Sequence, residues 1–198
     1  MNGTQTRQAD GRAAVAIRPL GPADLAALND FFTGLSAETR YRRFFGPVAP
    51  TPDLLHLLSG ADAHVYALVA VRAGVIVGHA LAADRTDSTG ARMTDIGVMV
   101  ADAWQGRGLG SALVRALLAG AQARGVTFVV MDVLHANPQV LAMIRGHWPE
   151  AGLDVSRDCV TARIWLRPAG PAAGYRRGDS IRDHDHSTRR RREGGLAT

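Results

Sequence analysis

One run of the chain, Thr94 to Leu118 (TDIGVMVADAWQGRGLGSALVRALL), constrains the fold more than any other. Its first part, Ile96 to Val100, is short, apolar and β-branched between polar residues, the composition of a buried strand. Gln105-Gly106-Arg107-Gly108-Leu109-Gly110 follows, too rich in glycine for a regular element but suited to a turn whose backbone amides approach a ligand. Leu109, Leu113, Ala116, Leu117 and Leu118 then recur at helical spacing, with Ser111 and Arg115 between them, which predicts an amphipathic helix. A strand, a glycine turn and a helix N-terminus in that order form an anion site. Unpaired N–H groups point out of the first turn, the helix dipole adds partial positive charge there, and glycine lets a phosphate approach without meeting a Cβ. The expected ligand carries a phosphate or pyrophosphate.

Three phosphate-binding motifs compete for this run. A P-loop needs Lys after its last glycine, and all 23 basic residues of the chain are Arg. The dinucleotide fingerprint G-x-G-x-x-G/A meets Ser111 or Leu113 at its third position, although Asp132, after the next apolar run, could imitate the ribose-binding acid of that motif. Gln-x-x-Gly-x-Gly fits without adjustment at Gln105, Gly108 and Gly110. With Val98-Met99-Val100 before it and Ser111-Ala112-Leu113 after it, the pattern resembles motif A of the GCN5-related N-acetyltransferases (GNAT). A bare glycine turn with no ligand is the alternative.

The N-terminal half narrows the resemblance. Ala14 to Arg18 reads as a short first strand ended by Pro19, Asp24 to Phe32 as a helix, and a second helix begins after Ser36 as N-cap. Pro50 to Ser59 adds a third helical piece. The segments IRPL, D-x-x-x-L and FF-x-x-LSAETRYRRFF resemble the acetyltransferase domain of bacterial Pat-type protein lysine acetyltransferases, over about Ala14 to Arg167. Those larger enzymes carry a further regulatory or synthetase-like domain, so a stand-alone catalytic domain is expected here. Arg40, Tyr41, Arg42 and Arg43 are read either as an ordinary basic helix face with Tyr41 packed beneath it or as a direct substrate contact, a basic rim at the entrance.

Beyond this, Ala63 to Val71 and Val75 to Ala83 read as a hairpin through Arg72-Ala73-Gly74, Asp84 to Ala91 as a polar loop, and Arg92 to Val100 as the next strand. The Leu109–Arg124 helix is capped by Gly125. Val126 to Val133 reads as a strand, Pro138 opens a helix that cannot pass Pro149 undisturbed, and Leu153 to Ser156 with Val160 to Leu166 form a closing hairpin. The order β-α-α-β-β-β-α-β-α-β-β gives an α/β fold, a single mixed sheet of about seven strands with helices on both faces, and the resemblance implies that this is the GNAT fold.

Composition, 46% apolar over 198 residues, suits one domain at 14–167, with 1–13 and the Arg-rich tail 168–198 expected to be disordered. The tail holds seven Arg against four acids, so it supplies +3 of the +5 net charge. A solvated tail is the plain reading and weak nucleic-acid binding the sharper one. No apolar run approaches the ~20 residues of a membrane span, and no apolar leader opens the chain, so a cytoplasmic location and no membrane partner are expected. The single Cys159 excludes an internal disulfide, and no Cys/His cluster has metal-ligand spacing, so no metal is expected. His56, His64, His79, His135 and His147 read as surface or satisfied core residues.

The resemblance implies acetyl-CoA as cosubstrate. Val98, Met99 and Val100 would bond the pantetheine arm through backbone groups, with an N–H near Val98 or Met99 facing the thioester oxygen. Gln105, Gly106, Arg107, Gly108, Leu109, Gly110 and Ser111 would hold the pyrophosphate, and Asn137 would bond the arm from the other side. An acceptor amine arrives protonated, since a lysine titrates near ~10.4, so a general base is needed. In Pat-type enzymes a Glu takes the position of Asp95, three residues before Val98. The alternative for Asp95 is a strand-end acid paired with Arg92 or Arg163. Many acetyltransferases place an acidic Tyr seven residues after the Asn, where this chain has Ile144, a departure Pat-type domains share. Gly146-His147-Trp148-Pro149-Glu150 departs from the usual short turn. Three functions follow: acetylation of a protein lysine, with acyl-CoA synthetases as the first acceptor class, acetylation of a small amine, or acyl-CoA binding without turnover.

Overall fold

The computed structural model describes residues 14–166, so the expected disorder of 1–13 and of the Arg-rich tail lies outside the described residues. Seven strands form one sheet: β1 (Ala16–Pro19), β2 (Val65–Arg72), β3 (Val75–Thr86), β4 (Arg92–Val100), β5 (Phe128–Leu134), β6 (Gly152–Val155) and β7 (Cys159–Trp165), in the order β1-β2-β3-β4-β5-β7-β6. Every neighbouring pair is antiparallel except β4 and β5, which run parallel. Three short helices precede β2, namely α1 (Leu25–Gly34), α2 (Ala37–Phe44) and α3 (Pro52–Ser59), in place of the three helical pieces read there, although the expected element order counted two. Helix α4 (Leu109–Ala123) joins β4 to β5, and α5 (Pro138–His147) joins β5 to β6.

Strand alternation sorts the side chains into two cores. Ala80, Ala82, Ile96, Val129 and Met131 face Leu113, Val114, Leu117 and Ala121 of α4 and Leu141 and Ile144 of α5. On the opposite face Val69, Ile76 and Met99 meet Leu28, Phe31, Phe32 and Leu58 of α1 and α3. On β4, therefore, Ile96, Val98 and Val100 point to the α4 side, and Asp95, Gly97 and Met99 to the α1–α3 side.

Local chemistry explains the boundaries. Ser36 accepts from the Thr39 N–H and starts α2, Thr51 does the same for α3 through Leu54, and Asn137 for α5 through Val140. The β2–β3 turn has positive φ at both Ala73 (48°) and Gly74 (82°), the geometry that matches strand twist in a two-residue hairpin. Helix α4 ends where Val126 N–H reaches Ala121 O and Gly125 N–H reaches Gln122 O, with Gly125 at φ 78°.

One expected boundary is corrected. Polarity predicts a loop from Asp84 to Ala91, but β3 continues through Thr86, paired residue by residue with β4 as far as Thr86↔Arg92. The charges of Asp84 and Arg85 are carried within the sheet because each has a partner: Arg124 donates to Asp84 at 2.8 and 2.9 Å, and Arg85 pairs with Asp95.

Candidate acyl-transfer site

The site begins where the sheet divides. Parallel pairing of β4 with β5 is limited to Met93↔Phe128, Thr94↔Val129 and Asp95↔Val130. Beyond that point β4 stays on β3 as far as Val100, and β5 stays on β7 as far as Leu134. The two halves of the sheet separate, and the β4 edge from Ile96 to Val100 presents its backbone to the gap without a strand partner among the described residues. A cavity of about 880 Å³ fills the gap, well within the range of small-molecule sites.

The far end of the cavity is built by backbone. Gly106 and Gly108 adopt φ of 70° and 78°, which side chains with a Cβ rarely take, and Gly108 serves as N-cap of α4. No side chain caps this end. The first i→i−4 bond of the helix runs from Ala112 N–H to Gly108 O at 3.1 Å, so the N–H groups of Leu109, Gly110 and Ser111 have no partner within the helix. Gly106, Gly108, Gly110 and Ser111 line the cavity. Open donors, a helix dipole and absent side chains at one place make an anion site.

A polar network ties this end to α2. Asp102 accepts from Ser36 N–H (3.0 Å), Ser36 Oγ (2.7 Å) and Thr39 Oγ1 (2.7 Å). Burial alone would raise the Asp102 pKa, and these three bonds outweigh it and hold the carboxyl below its ordinary value. Gln105 Nε2 donates to Thr39 Oγ1 (3.0 Å) and to Val100 O (3.1 Å).

The middle of the cavity is built by side chains on the α1–α3 face of β4 and β5. Arg85, on β3, donates to both carboxylate oxygens of Asp95, with Nη2 at 3.1 Å from Oδ1. Asp132, on β5, accepts from Thr161 Oγ1 at 2.6 Å and lines the same cavity. Arg43 lies flat across Gly97. Beneath them His79 is buried, and its Nε2–H donates to Leu58 O at 2.8 Å, since a carbonyl can only accept. Burial chiefly, with a smaller contribution from Arg43, pushes the His79 pKa down to about 4, so it is neutral at pH 7.

Comparison with known proteins places this arrangement. The family model described as acetyltransferase (GNAT) family matches residues 31–147, more than half of the chain. The chain belongs to the GNAT acetyltransferase family. Acetyltransferase Pat of Mycolicibacterium smegmatis is 33% identical over 124 residues, which are 61% of this chain and 37% of that protein, so the match spans well under half of that relative. The solved GNAT domain of S. lividans PAT superposes with a TM-score of 0.69 at 24% identity, covering 77% of this chain and 90% of that one. The protein yncA from Salmonella typhimurium, solved with its cofactor acetyl-CoA, has a TM-score of 0.60 at 20% identity, over 82% of this chain and 99% of that one.

In this GNAT enzyme the structure brings Asp95, Val98, Met99, Val100, Gln105, Gly106, Gly108, Gly110, Ser111 and Asn137 to one cavity. Two members of the expected set do not line it. Arg107 turns outward onto the Trp104 ring, 5.2 Å from its centroid, and the Leu109 side chain is buried in the α4 core. Gln105 lines the cavity, but its side-chain amide is engaged by Thr39 and Val100, so it braces the loop. Asn137 gives its Oδ1 to the Val140 N–H and keeps its Nδ2 as the donor it can offer. Ile144 is fully buried, and no Tyr lines the cavity among the described residues. Asp95 is ion-paired, but with Arg85 and not with Arg92 or Arg163; Arg92 donates to Arg124 O instead.

Of the expected basic rim, Arg42 and Arg43 line the cavity and Arg40 does not. Arg40 folds back onto the carbonyls that end α1, closest to Leu35 O at 2.7 Å, and Arg42 pairs with Glu38 one turn earlier. Arg43 turns inward, and Tyr41 is exposed instead of packed beneath the helix. From sequence Arg43 is legible only as one of a run of basic residues at an entrance, and Asp132 only as a possible ribose-binding acid. Their sequence signal was weak because each depends on a distant partner strand. Among the described residues no group of three or more His, Cys, Asp or Glu could hold a metal, and no helix is long and apolar enough to cross a membrane.

Proposed function

We propose that this enzyme acetylates a lysine on a folded protein from acetyl-CoA, with Asp95 as general base. One observation carries the reading: the open N-terminus of α4 and the Asp95 carboxylate lie in the same cleft, at opposite ends of the unpaired β4 edge. Acetyl-CoA, when bound, supplies the activated acyl group. The residues that fit it are the α4 N-terminus for the pyrophosphate, the β4 edge for the amide-bearing arm, and Asn137 across from it. Asp95 takes the proton from the incoming ammonium, which at neutral pH is overwhelmingly charged. A thiol leaving group of intrinsic pKa near ~8.5 departs without a dedicated acid, consistent with Ile144 in place of a Tyr.

The lysine acceptor is supported by the likeness to Acetyltransferase Pat, and acyl-CoA synthetases are the first candidate acceptors. The chain has three Glu, and no carboxylate cluster of the kind a polycationic small amine would require lines the cleft beyond Asp95 and Asp132. Asp132 supports a second reading of the base. Both Asp95 oxygens are held by Arg85, whereas Asp132 lines the same cavity with a Thr161 hydroxyl on one oxygen.

Turnover of acetyl-CoA against a panel of proteins and small amines tests the acceptor, with acetyl-lysine on a protein as the expected product. Efficient acetylation of an aminoglycoside or polyamine, with no acetyl-lysine on any protein, would refute it. CoA binding without turnover on any acceptor would leave only an acyl-CoA-binding module.

A further inference from the structure

We propose that Arg43 is the binding residue for a carboxylate that a reactant carries into the cleft, either the terminal carboxylate of a dicarboxylic acyl-CoA or an acidic side chain beside the acceptor amine. The inference rests on the acyl-CoA reading of the site and adds a specificity that reading lacks.

Geometry makes Arg43 unlike its neighbours in the helix. Its guanidinium lies so close over β4 that a Cβ at Gly97 would fall 2.1 Å from Cζ and Nη2 and 2.3 Å from Nε. Glycine at 97 is therefore what gives the group its place, one residue before the Val98–Met99 backbone. The ring centroid of Phe44 lies 5.0 Å from Cζ. Nε is buried with no hydrogen-bond partner among the described residues. Burial pushes the Arg43 pKa below its ordinary value, although an arginine stays charged at any physiological pH.

A half-buried cation without a counter-ion is costly, and none of the chain's carboxylates pairs with Arg43 among the described residues. Asp95 is held by Arg85, and Asp132 receives Thr161. Glu38 pairs with Arg42, and neutral His79 offers no charge. A carboxylate from outside would supply the missing acceptor, and the planar guanidinium fork matches carboxylate geometry. Its place on Gly97, in the cavity shared by Asp95 and the β4 edge, is where acyl group and acceptor must meet.

The experiment compares the full chain with its R43Q, R43K and G97A variants in two arms. In the first, calorimetry measures free CoA, butyryl-CoA and succinyl-CoA, the last two matched in chain length. In the second, kcat/KM for acetylation is measured on two lysine peptides that differ only in Asp or Asn flanking the lysine. The parent is expected to favour the carboxylate partner about tenfold or more in one arm, the scale of a charge-assisted bond. That arm identifies the source. R43Q should reduce the ratio to within about twofold, R43K should retain part of it, and G97A should remove it while keeping the arginine, because a Cβ there displaces the guanidinium. No preference in either arm, or a preference that survives in R43Q, overturns the proposal. Free CoA separates the two readings: a parent that fails to bind it refutes the acyl-CoA site and this inference together, whereas CoA binding with no carboxylate preference refutes Arg43 alone.

Discussion

The two ends of the cleft are made of different material. The α4 end is backbone: two glycines at positive φ, unpaired N–H groups and a helix dipole, with the nearby side chains turned away or engaged in bracing. The β4–β5 end is side chain: Asp95, Arg85, Asp132 and Arg43, drawn from three strands and a helix. Backbone sites are made within a few residues of chain and tolerate change in the surrounding sequence as long as the turn survives. Side-chain sites depend on register between distant strands. The first kind suits a ligand part that is always the same, such as a pyrophosphate, and the second suits a part that differs between relatives, such as an acceptor.

Mutations at the two ends should therefore fail differently. The largest effect is expected at the side-chain end: Asp95→Asn should lower kcat by about 10²-fold or more and leave acetyl-CoA affinity intact, with the defect shrinking as pH rises and the amine loses its proton unaided. Asp132→Asn measured in parallel decides the base. If Asp132→Asn shows that loss and Asp95→Asn does not, Asp132 takes the role and Asp95 becomes a structural partner of Arg85.

At the backbone end, Gly108→Glu puts a disfavoured φ and a negative charge where the phosphates should lie. Calorimetry should show acetyl-CoA affinity about 10²-fold weaker, the combined scale of backbone strain and like-charge repulsion. Undiminished affinity would mean the α4 terminus is not the anion site.

A smaller effect is expected where the two ends are joined. Asp102→Ala deletes the acceptor of Ser36 and Thr39, and denaturant unfolding should show a loss of about 1 kcal/mol, as for a modest hydrogen-bond network near the surface. No loss would mean that α2 and the loop hold their positions independently.

The smallest effect at neutral pH belongs to His79. Well above pH 6.5 both folded and unfolded chains hold it neutral, and it contributes no pH dependence there. As pH falls from 6.5 towards about 4, the unfolded chain takes up a proton that the native state refuses, so stability is lost across that window and the loss levels off below it. His79→Gln should flatten this part of the stability–pH curve, and an unchanged slope would assign the acid sensitivity to other groups.

The sequence by itself determined the backbone half of this protein. Strand, glycine turn, helix, the cap at Ser36, Pro138 at the start of α5 and the Gly125 stop are all short-range devices, and each stands where the residues required it. The count of about seven strands followed from alternation and from one specific resemblance, and their order across the sheet came only with the tertiary structure. Only the tertiary structure decided what the charged side chains do. Asp84 and Arg85 read as loop until strand pairing and partners on α4 and β4 made their charges tolerable within a sheet. Three arginines that look alike as Arg40, Arg42 and Arg43 separate into a helix brace, an ion-paired cavity wall and a half-buried cation without a salt-bridge partner among the described residues. The physical reason is range. Backbone geometry is set by neighbours a few residues away, whereas a charge takes its role from whichever opposite charge, or absence of one, folding brings beside it.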